Sequence, residues 1–88
     1  NDLRDIKPLS ALIHLEQLDL SQNYIENLDS LTKLRELETL DVDGNLISTL
    51  APLSAIPGLS VSARNNPISF LDCPITYGIC YLDQRLFF

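Results

Sequence analysis

The fold class predicted here is an α/β solenoid, a right-handed coil with a short parallel sheet on its concave side and 3₁₀ or short α turns on its convex side. Three observations predict it. Asn23 and Asn45 recur at an interval that is kept without slippage by Leu18/Leu40, Leu20/Val42, Ile25/Ile47, Leu28/Leu50, Leu31/Leu53 and Leu34/Ile56. A short stretch that alternates polar and apolar residues precedes each asparagine, and elsewhere the apolar residues come every three positions. One such unit cannot bury its own leucines, so successive units have to stack and share an interior.

The elements follow in order. Ile6, Leu9, Leu12 and Leu15 come at every third position, which suits a 3₁₀ or short α turn with a single inward face. In residues 17–21, Leu18 and Leu20 alternate with Gln17, Asp19 and Ser21, the period-2 mark of a strand with one buried face. The second coil repeats this with Leu28, Leu31, Leu34 and Leu37, then a strand over residues 39–43. The third ends its turn at Pro57-Gly58 and enters a strand over residues 60–64. Pro8, Ser30 and Pro52 mark the turn starts at the same interval, and Pro or Ser suits a first helical turn, where the backbone N–H has no partner.

Run backwards, the interval lands on Asn1, Leu3 and Ile6; run forwards, it meets Asn66, Ile68 and Leu71 one position early. The slip arises because Leu59-Ser60-Val61 is one position shorter than Leu37-Glu38-Thr39-Leu40. Repeats are therefore expected over residues 1–71, about three and a half of them with the first incomplete, and a C-terminal capping segment over residues 72–88. Tyr77, Tyr81, Phe87 and Phe88 of that segment are expected to cover the leucines of the last coil, which has no following neighbour.

Asn1, Asn23, Asn45 and Asn66 are read as a structural ladder. Where the chain leaves a strand and bends inward, backbone groups lose their sheet partners, and an amide carries both donors and an acceptor to serve them. Asp only accepts, and Leu does neither. Asn27 lies outside this register and is expected to matter less.

With 88 residues there is room for one small domain, and no apolar run approaches the ~18 residues of a membrane-spanning helix. The chain has neither an initiator Met nor a basic-then-apolar leader, as in a processed mature chain or a segment of a longer one. Six basic against twelve acidic side chains give a net charge of −6, which repels phosphate backbones and argues against nucleic acid as a partner. The acidity serves either solubility or a preference for basic partners. Cys73 and Cys80 fall close together in Cys-Pro-Ile-Thr-Tyr-Gly-Ile-Cys. Either they form a disulfide, which would stiffen this end by ~2 kcal/mol and imply an oxidising compartment, or they are two buried free thiols. A zinc site needs three or four ligands, and the single histidine, His14, lies in another repeat.

The stretches LEQLDLSQNYIENLDSL and LETLDVDGNLISTLAPL resemble leucine-rich repeats of the 22-residue class, shared by bacterial internalins and by regulators such as the leucine-rich subunit of protein phosphatase 1. The tail NNPISFLDCPITYGICYLDQRLFF departs from the eukaryotic pattern, and its two cysteines resemble the ends of bacterial members. The resemblance implies a recognition surface that holds another protein on its concave, strand-lined face. Carried onto this chain, the partner-binding positions are Gln17, Asp19, Ser21, Thr39, Asp41, Asp43, Ser60, Ser62 and Arg64. Read this way the face has three aspartates, one arginine and no aromatic anchor, which implies modest affinity.

Asp19 and Asp41 should stand side by side on adjacent strands, ~4.8 Å apart, with Asp43 two positions on. Such a group binds a cation or a partner's Lys or Arg, or is simply a solvated acidic face. No cofactor and no catalysis are expected, since no nucleophile has a neighbouring base. His14 is expected to point outward without a role, and Tyr24 and its equivalent Leu46 to pack partly at the outer edge of the turn. The N-terminal coil shows no lid, so self-association there is expected, unless further repeats precede it. The reading is thus a protein-interaction module, bacterial and secreted, periplasmic or at the cell surface. The alternative is a regulatory or structural segment of a larger enzyme or effector, with a cytoplasmic setting left open.

Overall fold

A computed structural model describes residues 2–68, 75 and 78–82 of the chain. Asn1, Leu71, Cys73, Tyr77, Phe87 and Phe88 lie outside the described residues. Within them, 3₁₀ helices η1 (Lys7–Ala11), η2 (Asp29–Leu31) and η3 (Ala51–Ala55) alternate with strands β1 (Gln17–Asp19), β2 (Thr39–Asp41) and β3 (Ser60–Ser62), and β4 (Ile79–Tyr81) follows. The strands form one parallel sheet in the order β1-β2-β3-β4. The chain is a solenoid of the predicted class, with the strands stacked on one side and the 3₁₀ turns on the other.

The spacing of the leucines at every third position is itself the reason for the 3₁₀ geometry. Leu9, Leu12 and Leu15 donate their N–H groups to the carbonyls of Ile6, Leu9 and Leu12, and Leu31, Leu34 and Leu37 to those of Leu28, Leu31 and Leu34. Leu53 and Ile56 repeat the pattern with Leu50 and Leu53, at 2.9 and 3.0 Å. With about three residues per turn, every inward leucine also closes a turn. Proline opens η1 and η3, where its missing N–H costs nothing.

The strands are shorter than the alternation in the sequence predicts. Asp19 Oδ1 accepts the N–H of Ser21, and Asp41 Oδ1 that of Asp43, each at 3.0 Å, so side chains take backbone donors and start the bend. Inter-coil bonds nevertheless continue past the strand ends: Leu20 N–H donates to the Asp41 carbonyl, Gln22 N–H to Asp43, Val42 N–H to Ser62 and Gly44 N–H to Arg64. The chain then turns through a left-handed residue directly before each asparagine, Gln22 (φ 60°), Gly44 (φ 71°) and Asn65 (φ 59°). Left-handed backbone brings Cβ too close to the following carbonyl. Gly44→Ala is therefore expected to lower stability by about 1 kcal/mol in urea unfolding, with Gly44→Asn closer to wild type. The added Cβ would also meet the Gln22 side chain, whose flexible end can give way. An unchanged midpoint for Gly44→Ala would contradict this.

The core is one row of columns, each filled by equivalent residues of successive coils. Position decides burial: Leu34 and Ile56 are 0% exposed, whereas their first-coil equivalent Leu12 is 48% exposed. Leu34 lies in its column between Leu12 and Ile56, with a coil on each side, as in nearest-neighbour stacking, whereas Ile6 of the first coil is buried at 2% exposure by its own surroundings.

Candidate functional site

The register builds the solvent-facing side of the sheet in rows. Gln17, Thr39, Ser60 and Ile79 are paired across the four strands, and so are Asp19, Asp41, Ser62 and Tyr81. Between these rows the column Leu18, Leu40, Val61 and Cys80 points the other way, toward the core. Ser21, Asp43 and Arg64 follow one alternation beyond. The nine positions read from sequence as partner-binding thus share one side of the molecule. Six of them, Gln17, Asp19, Thr39, Asp41, Ser60 and Ser62, line a shallow groove of about 500 Å³ that Tyr81 closes at the β4 end, whereas Ser21, Asp43 and Arg64 lie outside its lining.

Tyr81 corrects the sequence reading in two ways. The sequence places it over the leucines of the last coil; in the structure it is 47% exposed on the sheet face, so the face does carry an aromatic side chain. The Arg64 guanidinium sits over its ring, 5.7 Å from the centroid. Sequence reasoning misses this because β4 arrives early. Val61 is opposite Cys80, whereas the interval that leads from Leu18 to Leu40 would lead from Val61 to Asp83. The alternation Ile79, Cys80, Tyr81, with a cysteine in the core-facing place of a leucine, is the signal that could have found it.

The aspartates are not a free cluster. Asp19 Oδ1 also accepts the Ser21 hydroxyl at 2.7 Å. The Ser21 backbone N–H first, and its hydroxyl second, hold the Asp19 carboxyl below the ordinary carboxylate value. The small stabilisation this brings is present above the ordinary Asp pKa and is lost as pH falls through the lowered one. Asp43 turns away from Asp19 and Asp41: its Oδ1 accepts the Ser62 hydroxyl and the Arg64 N–H, both at 2.7 Å. Oδ1 of each is committed to a neighbour, and among the described residues no group of three His, Cys, Asp or Glu side chains is placed to hold a metal ion.

Behind the face, the asparagines tie coil to coil. Asn23 Oδ1 accepts the Leu3 N–H, and its Nδ2 donates to the Leu20 and Ser21 carbonyls. Asn45 Oδ1 accepts the Ile25 N–H at 3.1 Å while its Nδ2 donates to Leu20, Val42 and Asp43. Asn66 Oδ1 accepts the N–H groups of both Asn45 and Ile47, and its Nδ2 donates to Val42 and Arg64. Each amide therefore reaches the preceding coil, and among the described residues no buried side-chain polar atom lacks a partner.

A second ladder escapes the sequence reading. Asp5, Asn27 and Thr49 also recur at the repeat interval. The side-chain oxygen of each accepts the N–H two positions on, from Lys7, Asp29 and Ala51, at the mouth of a 3₁₀ helix. Asn27 is thus not without a register: it belongs to this exposed one, where Asp, Asn and Thr serve equally because only an acceptor is needed. His14, expected to point outward without a role, is exposed but bonds its own equivalent one coil on, Nδ1 to Glu36 Oε2 at 2.6 Å. Tyr24 is 42% exposed under the Arg4 guanidinium, 4.9 Å from its ring centroid.

A family model described as leucine-rich repeats (two copies) matches residues 13–55. Among solved structures, internalin C2 from Listeria monocytogenes str. 4b F2365 aligns with a TM-score of 0.86 at 32% identity, covering 94% of this chain and 38% of internalin C2. An internalin (inlF) from the same strain aligns with a TM-score of 0.53 at 24% identity over 78% of this chain and 27% of that one, a likeness of fold alone. No curated protein sequence matches. Residues 13–55 are thus leucine-rich repeats, and the chain has the leucine-rich repeat fold, with its parallel strands gathered in one sheet. Its repeats are internalin-like, and it spans about two-fifths of the length of internalin C2.

Proposed function

We propose that this repeat domain binds a protein partner through its sheet face, as part of an exported bacterial protein. The observation that carries the reading is the groove over β1 to β3 with Tyr81 exposed at its end beside Arg64, because tyrosine and arginine are among the residue types enriched at the energetic centres of protein interfaces. The acidic rim from Asp19 and Asp41 favours a basic partner surface. Export is supported by the likeness to internalin C2, and among the described residues no helix is long and apolar enough to cross a membrane. A Cys73–Cys80 disulfide belongs to the same reading; no described cysteine is a free thiol. Thiol counting under denaturing conditions without reductant is expected to find none, and two reactive thiols in protein from an oxidising compartment would remove this support for export.

The test is capture of interacting proteins by immobilised wild type and two variants. Thr39→Arg places a long charged side chain in the middle of the groove, at an exposed strand position; Lys33→Glu changes the opposite, 3₁₀ side. A partner of the sheet face is expected to be retained by Lys33→Glu and weakened at least about tenfold by Thr39→Arg, which is ~1.4 kcal/mol. The reverse pattern would move the site to the convex side. We also propose self-association at the outer edge of β1, a reading supported by the half-exposed Leu12 and Ile13 of the same coil. Light scattering that gives a monomer mass at every concentration would refute it.

A further inference from the structure

The sheet face is polarised along the solenoid axis, and the polarity specifies how a partner is seated. At the β4 end the exposed side chains are Tyr81 and Ile79, 47% and 52% exposed, with Arg64 over the tyrosine ring. At the β1 and β2 end the same row holds Asp19 and Asp41, whose Oδ1 atoms bond the next turn, leaving Oδ2 of each directed to no described partner. Ser62 lies between the two ends, and the groove is lined by Asp19, Asp41, Ser62 and Tyr81, with Ile79 and Arg64 beside its β4 end.

The geometry points to two-site recognition, which rests on the binding role proposed for this face: a partner segment places a basic side chain against Asp19 and Asp41, and an apolar or aromatic one against Tyr81 and Ile79. The opposite seating would set the partner's cation against Arg64 and its apolar group against carboxylates, so only one direction satisfies both ends. The spacing can be estimated. Strands lie ~4.8 Å apart, so Tyr81 is ~10 Å from Asp41 and ~14 Å from Asp19. An extended segment advances ~3.3 Å per residue and returns to the same side every second residue, so the two side chains are four positions apart, ~13 Å.

The experiment maps three probes on the isotope-labelled chain by NMR: acetyl-arginine amide, acetyl-phenylalanine amide, and an extended peptide in which Arg and Phe are separated by three serines. The arginine amide is expected to shift the backbone signals of residues 17–19 and 39–41, and the phenylalanine amide those of residues 79–81. The linked peptide should bind at least about tenfold tighter than either amide, because linkage raises the effective concentration of the second group. Tyr81→Ser, in a position that is exposed and so need not disturb folding, should abolish that gain while leaving the arginine amide's shifts in place.

Arginine amide shifts centred on Glu26 or Glu36, phenylalanine amide shifts centred on Leu12 and Ile13, or a linked peptide no tighter than its parts would each overturn the two-site seating. The binding role itself is decided separately by Thr39→Arg. A partner lost in that variant, with none of the probe shifts in place, would leave the sheet face as the binding surface and remove only the polarity.

Discussion

Leu34→Ala is expected to lower the unfolding free energy by about 3 kcal/mol, while Leu12→Ala, the same register position one coil earlier, costs below ~1 kcal/mol. Leu34 has no exposed surface, and its column continues into Leu12 on one side and Ile56 on the other. Truncation there removes about three carbon atoms of packing and leaves a void that two neighbouring coils would have to close. Leu12 is about half exposed, so water already covers much of what alanine would give up. In a domain of this size each 1 kcal/mol moves the melting temperature by ~4–8 °C. The two variants should therefore separate by roughly 10 °C or more in thermal unfolding followed by circular dichroism. Equal melting temperatures would mean that burial is not set by coil neighbours, and the nearest-neighbour account of this core would fail.

The second large effect is expected at Asn45. Asn45→Ala removes the acceptor for the buried Ile25 N–H, together with the Nδ2 donor shared among three carbonyls. Two of those carbonyls keep a second amide: Leu20 retains Asn23 Nδ2 and Val42 retains Asn66 Nδ2. The Ile25 N–H is the group left without a partner, and an orphaned buried donor costs ~1–3 kcal/mol. A loss of about 2 kcal/mol is expected for Asn45→Ala, against about 0.5–1 kcal/mol for Asn27→Ala, whose single bond to Asp29 is exposed. Asn45→Asp makes the distinction sharper. It keeps the acceptor but sets a carboxylate against the carbonyls of Leu20, Val42 and Asp43, so at neutral pH it should be at least as damaging as alanine. Burial and the facing carbonyls raise that carboxyl's pKa in the folded state. Its stability should therefore improve as pH falls and be lost as pH rises through the raised value. Urea midpoints for these three variants at neutral and acid pH check the argument, and an Asn45→Asp variant as stable as wild type at neutral pH would refute it.

Where sequence and structure part company, the cause is a loss of periodicity. Leu18, Leu40 and Val61 share a column despite the deletion of one position, because Ser60 still pairs with Thr39 and the sheet absorbs the slip. Tyr81 escapes because its strand arrives at a spacing outside the repeat, and its core-facing residue is Cys80 in place of an aliphatic one. The ladder of Asp5, Asn27 and Thr49 is hidden for a different reason: an acceptor-only position tolerates three residue types, and identity at fixed spacing is what makes a repeat visible. The buried asparagines need both donors and an acceptor, so the residue type stays constant and can be read directly.

The amino-acid sequence by itself determined the solenoid: the fixed repeat interval, the leucines at every third position and the recurrent asparagines each dictate a local geometry, and equal units repeated along a chain have one economical way to stack. Tertiary structure alone decided the character of the sheet face. Which carboxylates point into the groove and which bond their neighbours, and whether a tyrosine from outside the repeat joins them, depends on strands paired across unequal lengths of intervening chain. Hydrophobic periodicity records which residues face inward and, while the interval is kept, which stand abreast, as Asp19 and Asp41 do; where the interval is lost, between β3 and β4, the lateral order is recorded only by the register of one strand against the next.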